Sequence, residues 1–260
     1  MLKTTLLIFC GALLQNGLST TTDKIPSTTT QSATASMTDL WTVMNTTTTE
    51  TIQDGGKGSK CRNRYISDEF RDYALRLHNY FRSVVARGLA RNGEYRSRNA
   101  PSSSRMYRLE YDCRAEHYAY NHVKTCDKKL LPPHYRPGYE ENIHLFGLTY
   151  ANPFAAFQNA FVTWTSELRK NGIPWDMIFT YKLSQRRYKS VVRVTKIIWG
   201  NNRHVGCATY KCRGFYFTSC MYRKPVNVIG EAIYKIGEVC SSCPGGWKKC
   251  NKAVGLCSIK

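Results

Sequence analysis

Carboxylates are scarce in this chain: 18 Asp and Glu stand against 38 Lys and Arg in 260 residues, a formal charge of +20. Residues 1–60 carry Lys3, Lys24, Lys57 and Lys60 against Asp23, Asp39, Glu50 and Asp54, so the whole excess lies in residues 61–260. Such a field draws polyanions, among them glycosaminoglycans, acidic glycans and anionic lipid head groups, or it is a soluble basic surface with no dedicated partner. Catalytic signatures are also missing. There is no HExxH helix and no GxSxG elbow, which removes the common zinc-protease and hydrolase layouts. Apolar runs are absent after the first twenty residues, which excludes a second membrane segment. The length excludes two large domains.

What is present at the start is a leader. Lys3 precedes an apolar run from Leu6 to Leu14, and Gly17 and Ser19 supply small residues at a cleavage-type spacing. Residues 1–19 therefore read as a secretory signal peptide, with a retained signal anchor as the alternative. The expected location is secreted and extracellular, which argues against nucleic acid as a partner. Residues 20–60 read as a Ser/Thr-rich stalk: 18 of the 33 residues from Ser19 to Thr51 are Ser or Thr. They cannot bury enough apolar surface to offset ordering entropy, and in an exported chain they suit O-glycosylation. Asn45-Thr46-Thr47 is the one N-glycosylation sequon.

Of eleven cysteines, Cys10 falls within the leader and ten remain. An even number in an exported chain implies a disulfide framework, although Cys240-Ser-Ser-Cys243 in a reducing compartment would suggest zinc or thiol exchange.

Periodicity predicts three helices. The first starts near Ser67, whose side chain can cap it, and buries Phe70, Ala74, Leu77, Phe81 and Val84 before stopping at Gly88. The second runs from about Asp112 to Thr125, with Ala115, Tyr118, Ala119, His122 and Val123 inward. The third has Asn152 as cap and Pro153 in its first turn, turns Phe157, Phe161, Trp164 and Leu168 inward, and ends near Gly172. Strands are predicted at Val191–Trp199, Val205–Tyr210 and Phe215–Tyr222. Helices first and strands later give an α+β fold with a mainly antiparallel sheet. The last segment, with four cysteines in 18 residues, must depend on its bridges.

Several motifs together resemble the CAP superfamily of venom-allergen-like and cysteine-rich secretory proteins. Leu77-His78-Asn79-Tyr80-Phe81-Arg82 is similar to its HNxxR helix, and Leu109–Glu116 to its second helix. Glu141-Asn142-Ile143-His144 resembles the GEN segment, Trp164-Thr165-Ser166-Glu167 the W-x-x-E helix, and Thr195–Trp199 the end of the GHYTQVVW motif. Val205–Ala208 and Cys220–Tyr222 match the strands that follow. The resemblance implies an α-β-α sandwich over residues 61–225 and a cysteine-rich hinge over 226–260. It also implies the pairings Cys61–Cys113, Cys126–Cys212, Cys207–Cys220, Cys240–Cys250 and Cys243–Cys257.

Family members commonly hold two histidines and two glutamates in a central cleft able to take a divalent ion. Here the resemblance assigns Glu141 and Glu167 to the glutamates. His134 is either the first histidine or an ordinary loop residue. Counting back from Trp199 puts Arg193 where the second histidine would stand, and a guanidinium does not ligate metal. The expectation is a remnant cleft of His134, Glu141, Glu167 and Arg193, with no metal, no cofactor and no catalysis. In it Arg193 forks onto Glu141 or Glu167, or swings to solvent. His78, His117, His122 and His144 are expected to be structural.

The segment Pro174–Leu183 carries Trp175, Phe179 and Tyr181, where sterol-binding relatives place an aromatic loop. It is a candidate sterol or fatty-acid contact, or simply core. Arg186, Arg187 and Lys189 follow as candidate anion contacts. Two functions stay open: a non-enzymatic protein binding an extracellular anionic glycan or receptor, and a lipid carrier.

Overall fold

The computed structural model describes residues 61–94, 98–245 and 249–258. The leader, the stalk and Asn45 lie outside the described residues.

Helix α1 (Asp68–Ala86) starts where Ser67 accepts a hydrogen bond from Phe70 N, with Asp68 and Glu69 at the positive end of the dipole. It buries Phe70, Ala74, Leu77 and Val84. Beyond it Gly88 takes φ +71°, a left-handed turn that a side chain would strain. Two short strands follow, β1 (Ser103–Arg105) and β2 (Glu110–Tyr111). Helix α2 (Cys113–Val123) is capped by Asp112, which accepts from Arg114 N and Ala115 N. Then come β3 (Tyr139–Phe146) and α3 (Pro153–Asn171), the latter capped by Asn152. Helix α3 ends at Gly172, where a Cβ would lie 1.8 Å from Glu94 N. Two short helices, α4 (Tyr181–Ser184) and α5 (Val192–Ile197), lead into the long strands β4 (His204–Cys212) and β5 (Phe215–Arg223).

The main sheet has the order β2-β4-β5-β3, antiparallel except for the parallel β2–β4 pair. Register and pleat sort its side chains. Gly206, Met221 and Glu141 share one face, and Cys207, Cys220 and Asn142 the other. Helix α2 lies so close on the first face that a Cβ at Gly206 would stand 2.3 Å from Glu116 N. The second face meets α1, from which His78 reaches Tyr222, and α5, whose Arg193 and Lys196 meet Asn142. Helix α3 packs behind α5, with Trp164 donating to Ile143 O at 3.1 Å. The chain is thus an α-β-α sandwich.

Apolar burial holds the layers together. Trp164, Trp199, Phe157, Phe161 and Phe217 are completely buried, and each such side chain contributes on the order of 2–3 kcal/mol relative to exposure. Buried polar groups tie the layers at chosen points. Arg71 of α1 donates from Nε and Nη2 to Glu116 of α2 at 2.6 and 2.9 Å, and Tyr111 Oη donates to the same carboxylate. The resulting ion pair raises the Arg71 pKa further above its ordinary value. Five disulfides join Cys61–Cys113, Cys126–Cys212, Cys207–Cys220, Cys240–Cys250 and Cys243–Cys257. Small antiparallel pairs complete the C-terminal segment. Strand β6 (Lys235–Ile236) pairs with β1, and β7 (Cys250–Asn251) with β8 (Leu256–Cys257).

One expected strand is a helix. Val191–Trp199 is rich in β-branched residues, yet Val192–Ile197 forms α5. The local reading fails because the cap comes from another element. Glu167 of α3 accepts Arg193 N at 3.0 Å and Val194 N at 2.9 Å through Oε2, meeting the unpaired amides of the first turn. Val194, Thr195, Lys196 and Ile197 are all buried, so no period-two alternation exists to hold a strand. Conversely, the sequence reading gave Tyr139–Phe146 no strand, and it pairs with β5 along its full length.

Candidate functional site

The four residues of the expected cleft part company in the structure. Glu167, on α3, is engaged by Arg193: Nε donates to Oε1 at 2.5 Å, while the Arg193 and Val194 amides hold Oε2. Arg193 thus meets Glu167 with a single guanidinium nitrogen rather than a two-pronged fork, and its side chain keeps 39 % of its surface exposed. Burial pushes the Glu167 carboxyl above its ordinary pKa, against the pull of Arg193 and the two amides.

Glu141 is elsewhere. It sits on the α2 face of β3, with no exposed side-chain surface, and accepts from His122 Nδ1 at 2.5 Å, Ser219 Oγ at 2.6 Å and Leu131 N at 2.7 Å. The residues on the α5 side of β3 are Glu140 and Asn142. Glu140 pairs with Arg136 at 3.0 Å and Lys224 at 3.1 Å. Asn142 donates to Arg193 O and accepts from Lys196 Nζ. The strand's alternation thus puts the neighbours of Glu141, not Glu141 itself, beside Arg193. His134 lies in an exposed 3-10 turn, Pro133–Tyr135, with its ring against Tyr135.

The imidazole that meets Glu141 is His122, a residue expected to be merely structural. Its ring is buried, with Nδ1 on Glu141 and Nε2 3.3 Å from Asp127 Oδ1. Burial opposes its protonation, but the two carboxylates outweigh burial and raise its pKa above the ordinary value. Its place on the inner face of α2 was the signal in the sequence, since a titratable ring on an apolar face requires a buried partner. Phe217 packs edge-on to it.

Three further histidines are hydrogen-bonded within the fold. His78 Nδ1 donates to Ala74 O at 2.7 Å, which fixes the tautomer so that Nε2 accepts from Tyr222 Oη at 2.9 Å. Burial lowers its pKa to about 4, so it stays neutral. His144 Nε2 donates to Asn159 Oδ1 at 2.8 Å, and His117 meets Asn121 on the exposed face of α2.

A divalent ion does not fit this donor set. One glutamate is capped by a guanidinium and two amides, the other holds three donors on the opposite face, and His134 is turned outward. Among the described residues two further groups bring three possible ligand atoms together: His78 with Cys207 and Cys220, and Cys240 with Cys243 and Cys250. Every sulfur in them is in a disulfide and has no thiolate to offer.

The aromatic loop is split between core and surface. Met177, Phe179 and Leu183 are buried, and Phe179 meets Trp199 edge-on at 6.1 Å. Phe179 is therefore a core residue rather than a lipid contact, because its 2 % exposure leaves nothing for a ligand to touch. Trp175 and Tyr181 remain outside, at 43 % and 69 %. Arg186 is likewise committed, donating to Gly172 O at 2.9 Å and pairing with Glu94. Arg187 and Lys189 are exposed.

The family follows from comparison. Residues 75–222 match the model of the cysteine-rich secretory protein family, CAP. The chain belongs to the CAP family. It is 33 % identical over 196 residues to Ancylostoma secreted protein of Ancylostoma caninum, which covers 75 % of this chain and 46 % of that protein. The chain thus spans about half the length of that relative. It is 25 % identical over 193 residues to hookworm platelet inhibitor 1 of the same organism, covering 72 % of this chain and 80 % of that one. A crystal structure of NaASP2 with Zn2+ superposes with a TM-score of 0.71 at 32 % identity, covering 76 % of this chain and all of that one. The HNxxR arginine of the CAP chain is Arg82, and its role is structural. Fully buried, it donates to the carbonyls of Tyr107, Ile197, Trp199, Gly200 and Asn202.

Proposed function

We propose that this CAP protein is secreted and works by binding rather than catalysis, taking an extracellular anionic glycan on its cationic surface. The observation that carries the reading is the charge: all of the +20 lies in residues 61–260. Arg71, Arg82, Arg136 and Lys196 are buried, while Arg187, Lys189, Arg203, Arg213 and Arg223 are exposed. A surface of that sign accelerates encounter with polyanions and loses them as salt rises.

The non-catalytic half of the reading rests on Glu167 and Glu141. A general acid and base must share one substrate, and these carboxylates are held by different partners on different faces of the sheet. Arg193 supplies to Glu167 a fixed positive charge in place of a bound ion.

The test is heparin-affinity chromatography across a salt gradient, with solvent extraction and mass spectrometry of the same secreted protein. Retention that collapses with salt, and no co-purifying lipid, is the expected result. Flow-through at low salt would remove the glycan reading, and stoichiometric sterol or fatty acid in the extract would put the lipid carrier in its place.

A further inference from the structure

The turn before β4 and the end of β5 border an open pocket of about 180 Å³. Asn201, Asn202, Arg203, His204, Arg223, Lys224 and Pro225 line it. We propose that this pocket is an anion site that takes one sulfate ester of the glycan, so that it rests on the reading above and localises it.

Three observations converge. The first is an unspent donor. Asn202 is 3 % exposed, and its Oδ1 accepts His204 N at 3.1 Å, which fixes the amide orientation and leaves Nδ2 as the free end. Among the described residues Nδ2 has no hydrogen-bond partner. A buried amide N–H without an acceptor costs free energy; this nitrogen has almost no accessible surface, so an oxyanion recovers that cost only where the turn shifts to admit it.

The second is the disposition of cations. Lys224 is held by Glu140 at 3.1 Å, but Arg203 and Arg223 are in no ion pair among the described residues. The Arg203 guanidinium lies over the Tyr107 ring, 4.1 Å from its centroid, and that contact restrains it. Two guanidinium forks and an amide are the donor set that a tetrahedral oxyanion uses, because each fork can grip two oxygens.

The third lies beneath the turn. Arg82 donates from Nη2 to Gly200 O and Asn202 O at 3.3 and 3.2 Å, and every acceptor it has is a backbone carbonyl. Its charge is satisfied by dipoles, and among the described residues no carboxylate is paired with it. Burial lowers its pKa to about 9, which still leaves it protonated at neutral pH. A buried cation bonded to the carbonyl of a lining residue, Asn202, raises the potential that an anion meets there.

The experiment has two readouts on the full secreted protein. The first titrates inorganic sulfate while following the Asn202 side-chain amide by nitrogen–proton correlation NMR, with Asn92 and Asn171, whose amides donate to Ile173 O and Ser190 O, as internal references. The second measures affinity for a sulfated heparin tetrasaccharide and its desulfated counterpart, for wild type, R223E, R203S/R223S and the control R187S/K189S. Circular dichroism checks each fold, and R223E, at an exposed position, serves if Arg203 proves necessary for folding. Expected are a saturable Asn202 shift, binding of the sulfated sugar alone, and a loss of roughly tenfold or more for each guanidinium removed. The control should lose much less. An unmoved Asn202 amide, or tetrasaccharide affinity equal in R223E and wild type, overturns the site while leaving glycan binding elsewhere intact. A moving Asn202 amide with no tetrasaccharide binding keeps the anion site and removes the glycan as its ligand.

Discussion

Arg193 and Glu167 are joined twice, once by the guanidinium Nε on Oε1 at 2.5 Å and once by the Arg193 backbone amide on Oε2 at 3.0 Å. The two bonds differ in worth. The side-chain pair is partly solvated, since Arg193 keeps 39 % of its surface, whereas the amides of Arg193 and Val194 lie in the first turn of α5, where the helix itself offers them no acceptor. Truncating R193A should cost only about 1 kcal/mol, as expected for a partly exposed ion pair. Truncating E167A should cost roughly 2–4 kcal/mol, because it strands two amides at the start of α5 as well as the guanidinium. Urea unfolding of the two variants checks the order. Equal losses would mean that the cap contributes nothing.

The same pair explains what could be read from sequence and what could not. The three long helices were legible because their signals are local. Ser67, Asp112 and Asn152 cap their own first turns, and the buried faces repeat at helical spacing. Strands β4 and β5 were legible from their β-branched and aromatic content around a turn. Helix α5 was not, because its cap is Glu167, some 25 residues earlier in the chain. The face of Glu141 was equally hidden. Without the β3–β5 register, nothing in Glu140-Glu141-Asn142 says which carboxylate turns toward α2. His122 was visible as an inward-facing histidine, but its partner is supplied by the sheet.

If Arg193 were the sole obstacle to a metal centre, restoring an imidazole would rebuild one. The geometry argues otherwise, since Glu141 faces α2 and is saturated by His122, Ser219 and Leu131 N. R193H is therefore expected to bind zinc no more tightly than wild type. Metal analysis after dialysis against equimolar zinc decides it, and one retained zinc per R193H chain would show that Glu141 can turn into the cleft.

Lys196 is buried beside Asn142, and burial lowers its pKa to about 8, against the pull of Glu140 and Glu167. The sign of its pH dependence follows. Below that value both folded and unfolded chains hold the proton. Above it the folded chain releases the proton while the unfolded chain keeps it to about 10.4, so stability should rise with pH in this window. The gain is at most on the order of 3 kcal/mol. K196M lacks the titration, so the stability difference between wild type and K196M should move toward wild type from pH 8 to pH 10 in urea midpoints. A constant difference would mean that Lys196 is solvated in the folded state.

His122 should produce the opposite slope at lower pH. Glu141 at 2.5 Å and Asp127 at 3.3 Å raise its pKa above the ordinary value near 6.5, even though burial alone would lower it. Below the unfolded pKa both states are protonated and the ion pairs contribute in full. As pH rises through the higher folded value, the folded chain must give up its proton and that contribution is lost. His144 and His204 are shifted downward by burial and slope the other way, but they are common to wild type and variant. In the difference between wild type and H122N they cancel, because independent titrations add. The advantage of wild type over H122N should therefore be largest near pH 5.5 and shrink by pH 8.5, measured as urea midpoints across that range. An advantage that grows with pH would mean that His122 is neutral in the folded chain and that its contact with Glu141 is an ordinary hydrogen bond.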